Sequence, residues 1–153
     1  MGKRREGREA AVQFLYQLDL NPEALDSLLP QFWKLRTGPG NAAVPAKTRS
    51  FTEALVRGVT SHSATIDDRI RQAAANYQLE RIAPVDRNIL RIAIYEMLFC
   101  NDVPPIVSIN EAIEIAKRFG GDESGRFVNG ILDRIRGELQ RPARTAAEPT
   151  NQP

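Results

Sequence analysis

Two stretches of the chain gather cations and aromatic rings at spacings that suit a polyanion. The first is the opening, where Lys3, Arg4, Arg5 and Arg8 face only Glu6 and Glu9, and Tyr16 follows two turns after Arg8. Arginine and lysine neutralise phosphates, and a tyrosine ring offers a face to an unstacked base, so the combination suits an RNA clamp. Arg8 and Tyr16 stand eight residues apart, which on a helix suggests a shared face. The same segment read blandly is a frayed, solvated helix end, and composition alone leaves both readings open. The second stretch is Lys117-Arg118-Phe119-Gly120-Gly121-Asp122-Glu123-Ser124-Gly125-Arg126-Phe127. A helix restarting after the glycine pair points free N–H groups and its positive dipole end at Lys117, Arg118 and Arg126, a setting ready for a phosphate. Read as packing alone, the stretch is an interhelical linker with Phe119 and Phe127 in the core, and the two readings are compatible.

The remaining chemistry excludes more than it offers. One His, one Cys and no glycine-rich phosphate loop or clustered His/Cys spacing leave no catalytic residue, no metal site and no cofactor to nominate. His62 is expected to be solvated in a polar turn, and Cys100 to end a central helix as a small buried hydrophobe. The 153 residues are 42% hydrophobic and 26% charged, ordinary for one globular domain. Net charge is only +2, from 21 basic against 19 acidic residues, so any nucleic-acid site must be local. A lone cysteine, no apolar run of about 18 residues and no signal-peptide pattern predict a reduced, cytoplasmic protein away from membranes.

The apolar spacing predicts an all-α bundle of about seven helices in two subdomains. Helices are expected over about Arg5 to Leu20, from Asn21-Pro22 to Trp33 with a kink or break at Pro30, and from a Ser50/Glu53 capping box. Another opens at Thr65 with Ile66, Ile70, Ala73, Ala74 and Tyr77 as its stripe, and a buried central helix runs from Pro84 to about Phe99. Ser108, with Glu111 three residues on, predicts the start of the next, which Gly120-Gly121 stops; the last runs from about Asp122 to Leu139. Thr37 to Pro45 is a connector, residues 1–139 form the folded domain, and 140–153 are expected to be a disordered tail. Asp86 and Glu96 fall among the apolar positions of the central helix. Charges there need partners: for Asp86 the helix dipole, for Glu96 an internal arginine.

Pro105-Ile106-Val107-Ser108-Ile109-Asn110-Glu111-Ala112-Ile113-Glu114-Ile115-Ala116-Lys117, closed by Arg126-Phe127-Val128-Asn129-Gly130, follows Pro84-Val85-Asp86-Arg87-Asn88-Ile89-Leu90-Arg91-Ile92-Ala93-Ile94-Tyr95-Glu96 and Asp102-Val103-Pro104. With the opening from Arg4 to Gln17, these pieces in this order resemble the NusB transcription antitermination family over roughly residues 3 to 139. The resemblance implies a non-enzymatic factor that binds boxA-like single-stranded RNA with the ribosomal protein NusE, in an antitermination complex with RNA polymerase, mainly on ribosomal RNA operons. It assigns RNA contact to the opening helix and to Lys117, Phe119, Gly120, Glu123, Ser124, Arg126 and Phe127, with Glu123 bonding base or sugar. It places partner docking on Asp86, Arg87, Glu80 and Arg81. Where the family commonly shows an unbroken arginine run, this chain has Glu6-Gly7, which favours a protein-only adaptor as an alternative. A NusB-like module also precedes the catalytic domain of certain ribosomal RNA cytosine methyltransferases, but no catalytic portion is expected here. Monomer and homodimer both stay open, since some members of the family self-associate over the RNA surface.

Overall fold

The computed structural model describes residues 2–22, 24–36 and 42–151, of which 140–151 by backbone alone. Six α-helices and one 3-10 turn carry them, with no strand among the described residues. α1 spans Gly2–Leu20, α2 Leu25–Leu35, α3 Ala46–Ser61, α4 Ser63–Ala73, α5 Pro84–Phe99 and α6 Pro105–Asn151; the 3-10 turn Leu79–Arg81 leads into α5. Gly121 breaks α6 into two arms at φ 84° and ψ −173°, a backbone conformation that only glycine adopts without strain. Counting the arms separately gives the seven expected segments. Of the expected connector, residues 37–41 lie outside the described ones, as do the side chains of the expected tail.

Burial follows the apolar spacing. Ile89, Leu90, Ile92, Ala93 and Ile94 are buried around α5, which packs on α1, α3, α4 and α6. Ala11, Phe14, Leu15 and Leu18 of α1, Ile66 and Ile70 of α4, and Val128, Ile131, Leu132 and Ile135 of α6 join it in one cluster. Each large side chain so buried contributes roughly 1.5–3 kcal/mol. Phe32 of α2 meets Phe14 edge-on at 5.4 Å, which fastens α2 to α1. Gly7 lies where α1 and α3 approach: a Cβ there would fall 2.6 Å from the Phe51 ring, and Thr52 donates to the Gly7 carbonyl at 2.9 Å. The residue that interrupts the cation run therefore lets two helices touch, which offsets glycine's helix cost of about 1 kcal/mol.

Several helix starts differ from the capping expectations. α6 begins at Pro105, three residues before Ser108, because proline has φ preset for a first turn and lacks only an N–H that would go unpaired there. α3 starts at Ala46 and α4 at Ser63, so Ser50 and Thr65 lie inside their helices, and α2 starts at Leu25. Pro30 does not break α2, which continues to Leu35. The unpaired carbonyl it leaves belongs to exposed Asp26, within reach of water, while Leu29, Phe32 and Trp33 hold the helix on the core. α4 ends at Ala73, so Tyr77 stands outside it with 55% of its surface exposed. His62 is not a free solvated side chain: it stacks on Phe99 at 3.9 Å, and its Nδ1 donates to the Gly58 carbonyl at 3.0 Å.

One chain of ionic contacts crosses the core. Glu96, 1% exposed, accepts from Arg8 Nε at 2.8 Å, Arg8 Nη2 at 3.2 Å and the Ser108 hydroxyl at 2.6 Å. The internal arginine that Glu96 was expected to need is Arg8. Glu111, instead of capping α6, accepts from Arg5 Nε and Nη2, both at 2.8 Å, and lies 3.8 Å from Arg8. A second knot ties α1, α4 and α5: Arg91 bonds Asp67 at 2.9 Å and Asp19 at 3.1 Å, and Asn88 donates to Asp19 at 2.9 Å.

A buried charge left without its partner is expensive, so Glu96→Ala is expected to lower stability by about 3–5 kcal/mol in urea unfolding, and Arg8→Met with Glu96→Leu to recover most of that. A loss below about 1 kcal/mol in the single variant would mean the pair is solvated. The hydrogen bonds from Arg5 hold the Glu111 carboxyl below its ordinary value of 4.5, against an opposing burial penalty. A depressed folded value means the unfolded chain binds the proton more readily, so this contribution is present above pH 4.5 and is lost as pH falls through the folded value. Wild type should therefore out-melt Glu111→Gln at neutral pH, with the two Tm values converging in acid. A gap that stays constant down to about pH 3 would contradict the assignment.

Candidate nucleic-acid interface

The first turns of α1 divide their cations. Lys3 and Arg4 are exposed, Arg5 is half-buried against Glu111, and Arg8 is 4% exposed beneath them. Arg8 is almost wholly covered and paired with Glu96, a correction to its expected role as an open phosphate contact. Eight residues at about 100° each leave Arg8 and Tyr16 some 80° apart around the helix, enough to send one into the core and the other to the surface. Arg4 stretches over the Phe51 ring at 4.9 Å. Together Arg4, Arg5, Asp102, Pro104 and Glu111 line a groove of about 240 Å3 between the start of α1 and the start of α6, with the covered Arg8 at its floor.

Further along α1, Glu9 receives Arg118 Nη1 at 3.2 and 3.0 Å, one bond on each carboxylate oxygen, and this pair brings the end of the first α6 arm against α1. Arg118 keeps 68% of its side chain exposed, so it carries local positive charge without being free. Beyond that pair, Tyr16 and Phe119 line one groove of about 830 Å3, with Leu28, Phe32 and Val85 behind them. Tyr16 is 45% and Phe119 39% exposed, so both rings offer a face. Gln13, Gln17, Gln31 and Arg36 supply polar groups around the same groove.

The angle between the α6 arms forms a third groove, about 370 Å3, where Lys117 and Arg126 meet with Asp122 and Asn129. Both cations are exposed, and Lys117 makes only a 3.8 Å contact with Glu114. Gly125, which sequence reasoning passed over, permits this: a Cβ there would fall 2.8 Å from Lys117 Cγ. Gly120 and Glu123 are exposed at the break. Ser124 and Phe127 turn inward, Ser124 donating to Asp86 Oδ2 at 3.3 Å and Phe127 meeting Tyr77 edge-on at 5.3 Å.

The structure thus gathers Arg4 and Arg5, Tyr16 and Phe119, and Lys117 and Arg126 as three pairs along α1 and the α6 break, strung together by Arg5–Glu111 and Glu9–Arg118. Glu9 and Glu111 are the organising residues that sequence spacing did not single out for this. On the other candidate face, Glu80 and Arg81 are exposed on the 3-10 turn, while Arg87 is held by Asp19 at 3.3 Å and by the carbonyls of Leu79 and Ile82. Asp86 is half-buried, and burial pushes its carboxyl up more than the Ser124 bond pulls it down. Among the described residues no three His, Cys, Asp or Glu side chains are grouped to hold a metal, and no helix is long and apolar enough to cross a membrane.

Comparison with known proteins identifies the family and the fold. The NusB family matches residues 5–136. The transcription antitermination protein NusB of Anaeromyxobacter sp. (strain Fw109-5) is 47% identical over 133 residues, covering 87% of this chain and 89% of that protein. T. maritima NusB superposes with a TM-score of 0.75 at 38% identity, covering 88% of this chain and 91% of that one. The NusB chain crystallised with NusE and double-stranded RNA shares the fold, with a TM-score of 0.73 at 24% identity over 88% of this chain and 96% of that one. With nearly the whole helical domain matched, and at this identity, the chain belongs to the NusB family.

Proposed function

We propose that this protein is a non-enzymatic antitermination factor that binds boxA-like single-stranded RNA together with the ribosomal protein NusE, within a transcription complex that includes RNA polymerase, mainly on ribosomal RNA operons in the cytoplasm. The observation that carries the reading is the alignment of exposed cations with exposed rings along α1 and the α6 break. Lys3, Arg4, Lys117 and Arg126 neutralise phosphates. Tyr16 and Phe119 border a groove of about 830 Å3 that offers ring faces to a base. A base must leave its stack to enter it, so the arrangement selects an unpaired strand over a duplex, whose bases are covered on both faces. The weak overall charge of +2 makes such binding local and salt-dependent without long-range attraction. Glu123, exposed beside these cations, fits a hydrogen bond to base or sugar. The name shared by the relatives, and the solved complex of a NusB chain of like fold with NusE and double-stranded RNA, support NusE and RNA as partners, with Glu80 and Arg81 as the most accessible residues of the protein-docking face.

A protein-only adaptor is the second reading, favoured by the commitment of Arg8 to Glu96 and of Arg5 to Glu111, which leaves the opening helix with fewer open cations. Fluorescence anisotropy with a short boxA-like strand over a salt series, with and without NusE and with a duplex of the same sequence, separates the two. Wild type is expected to prefer the single strand. Arg126→Ala and Lys117→Ala should each reduce the slope of log affinity against log salt by about 0.7. Unchanged slopes in both variants, or no measurable RNA affinity in wild type, would favour the protein-only adaptor.

A further inference from the structure

One aromatic ring meets the opening helix where its cations divide. Phe51 of α3 is half-buried against the core, and the guanidinium carbons of Arg4 and Arg8 lie 4.9 and 5.4 Å from the centre of its ring. The two arginines stand one turn apart on α1, with Gly7 between them. A Cβ on Gly7 would fall 2.6 Å from Phe51 Cδ2 and 3.2 Å from Cε2, so the ring fills space that any other residue would claim. Thr52, next along α3, fixes this approach through its bond to the Gly7 carbonyl at 2.9 Å. The glycine that interrupts the cation run is thus what admits the ring.

The two arginines meet the ring under different conditions. Arg8 is already committed to Glu96, through Nε at 2.8 Å and Nη2 at 3.2 Å. Arg4 is exposed, and among the described residues no carboxylate lies within ion-pairing distance of it and no acceptor takes a hydrogen bond from its side chain. The Phe51 ring is what holds it. Elsewhere on this edge acids hold the cations, Arg5 by Glu111 and Arg118 by Glu9, and each pair gives up part of its field. A ring attracts a guanidinium through its quadrupole and its flat face, and removes no net charge. Nor does it accept the paired N–H bonds that a carboxylate takes, so the Arg4 donors stay available to a phosphate. Arg4 is therefore ordered without being neutralised, at the groove it lines with Arg5 and Glu111.

We propose that Phe51 is a positioning residue for RNA binding: its ring presets the Arg4 guanidinium beside the groove between α1 and α6 while leaving the charge uncancelled. This rests on the function proposed above, in which Arg4 neutralises a phosphate. Phe51 is not among the residues lining that groove, so it acts through Arg4. Ordering a long side chain before the ligand arrives reduces the freedom lost on binding, and affinity rises with no added contact to RNA.

A double-mutant cycle tests this, with anisotropy of a short boxA-like single strand over a salt series for wild type, Phe51→Leu, Arg4→Ala and the double variant. Phe51→Leu should weaken binding about threefold with the salt slope unchanged, because Arg4 keeps its charge. Arg4→Ala should weaken binding and reduce the slope by about 0.7. Once Arg4 is gone, losing the ring should change nothing further, and Phe51→Tyr, which keeps a ring face, should bind as wild type does. If Phe51→Leu does not fold, Phe51→Met, nearer in volume and likewise without a ring, takes its place in the cycle. A ring that only packs α1 against α3 would weaken binding by the same factor with and without Arg4, which overturns the proposal. So does an unchanged affinity in Phe51→Leu. Failure of wild type to bind the strand would instead remove the function on which the inference rests. The NMR signal of Arg4 Nε–H in the free protein keeps the two apart: the ring should shift it upfield in wild type and not in Phe51→Leu, and equal shifts in both would overturn the seating of Arg4 itself.

Discussion

A carboxylate with nowhere to go organises this molecule. Glu96 sits on α5 among isoleucines, shut off from water, and such a charge is tolerated only when its acceptor sites are filled. Arg8 of α1 and Ser108 of α6 fill them, so one ion pair and one hydroxyl bind three helices at a single point. Glu111 extends the contact to Arg5, and Thr52 of α3 bonds the α1 backbone on the other side. The basic helix that opens the chain is thus fastened along its length, and its cations are divided by that fastening. Arg8 serves the fold, Arg5 stands at the boundary, and Lys3 and Arg4 face solvent.

Fixing α1 in this way gives a nearly neutral protein the concentrated edge of cations and rings on which the proposed RNA binding relies. Rigid placement lowers the ordering cost of association, which matters where few cations are available. The second element of the edge is the break in α6, where a positive-φ glycine turns the helix and sets one cation on each arm. Glu9 holds the break against α1 through Arg118, bringing Phe119 into the groove with Tyr16.

Much of this was legible in the chain. The apolar spacing marks α5 as central, the pair Gly120-Gly121 marks the break, and the isolation of Glu96 among apolar positions demands an arginine. Spacing could not say which arginine, because the answer is 88 residues away in sequence. For the same reason the spacing of Ser108 and Glu111 predicts a local cap. Their i, i+3 relation is real, but Pro105 had already started the helix, and buried charges on α1 and α5 compete for both side chains. Arg8 and Tyr16 show the limit of counting turns: a separation of eight residues looks like one face on paper and yields opposite fates in the fold. Gly7, which reads as a flaw in a cation run, has its meaning only in the Phe51 ring packed against it.

The central claim is that RNA lies along α1 and the α6 break while Arg8 remains part of the fold. A two-dimensional 1H–15N NMR titration of the isotope-labelled chain with a short single-stranded RNA tests it most directly. The account predicts that the perturbed signals trace Arg4, Tyr16, Lys117 to Glu123 and Arg126, with the Arg8 Nε resonance unmoved. Perturbations centred on α4 and the 3-10 turn, or an Arg8 Nε signal that shifts with the ligand, would contradict it.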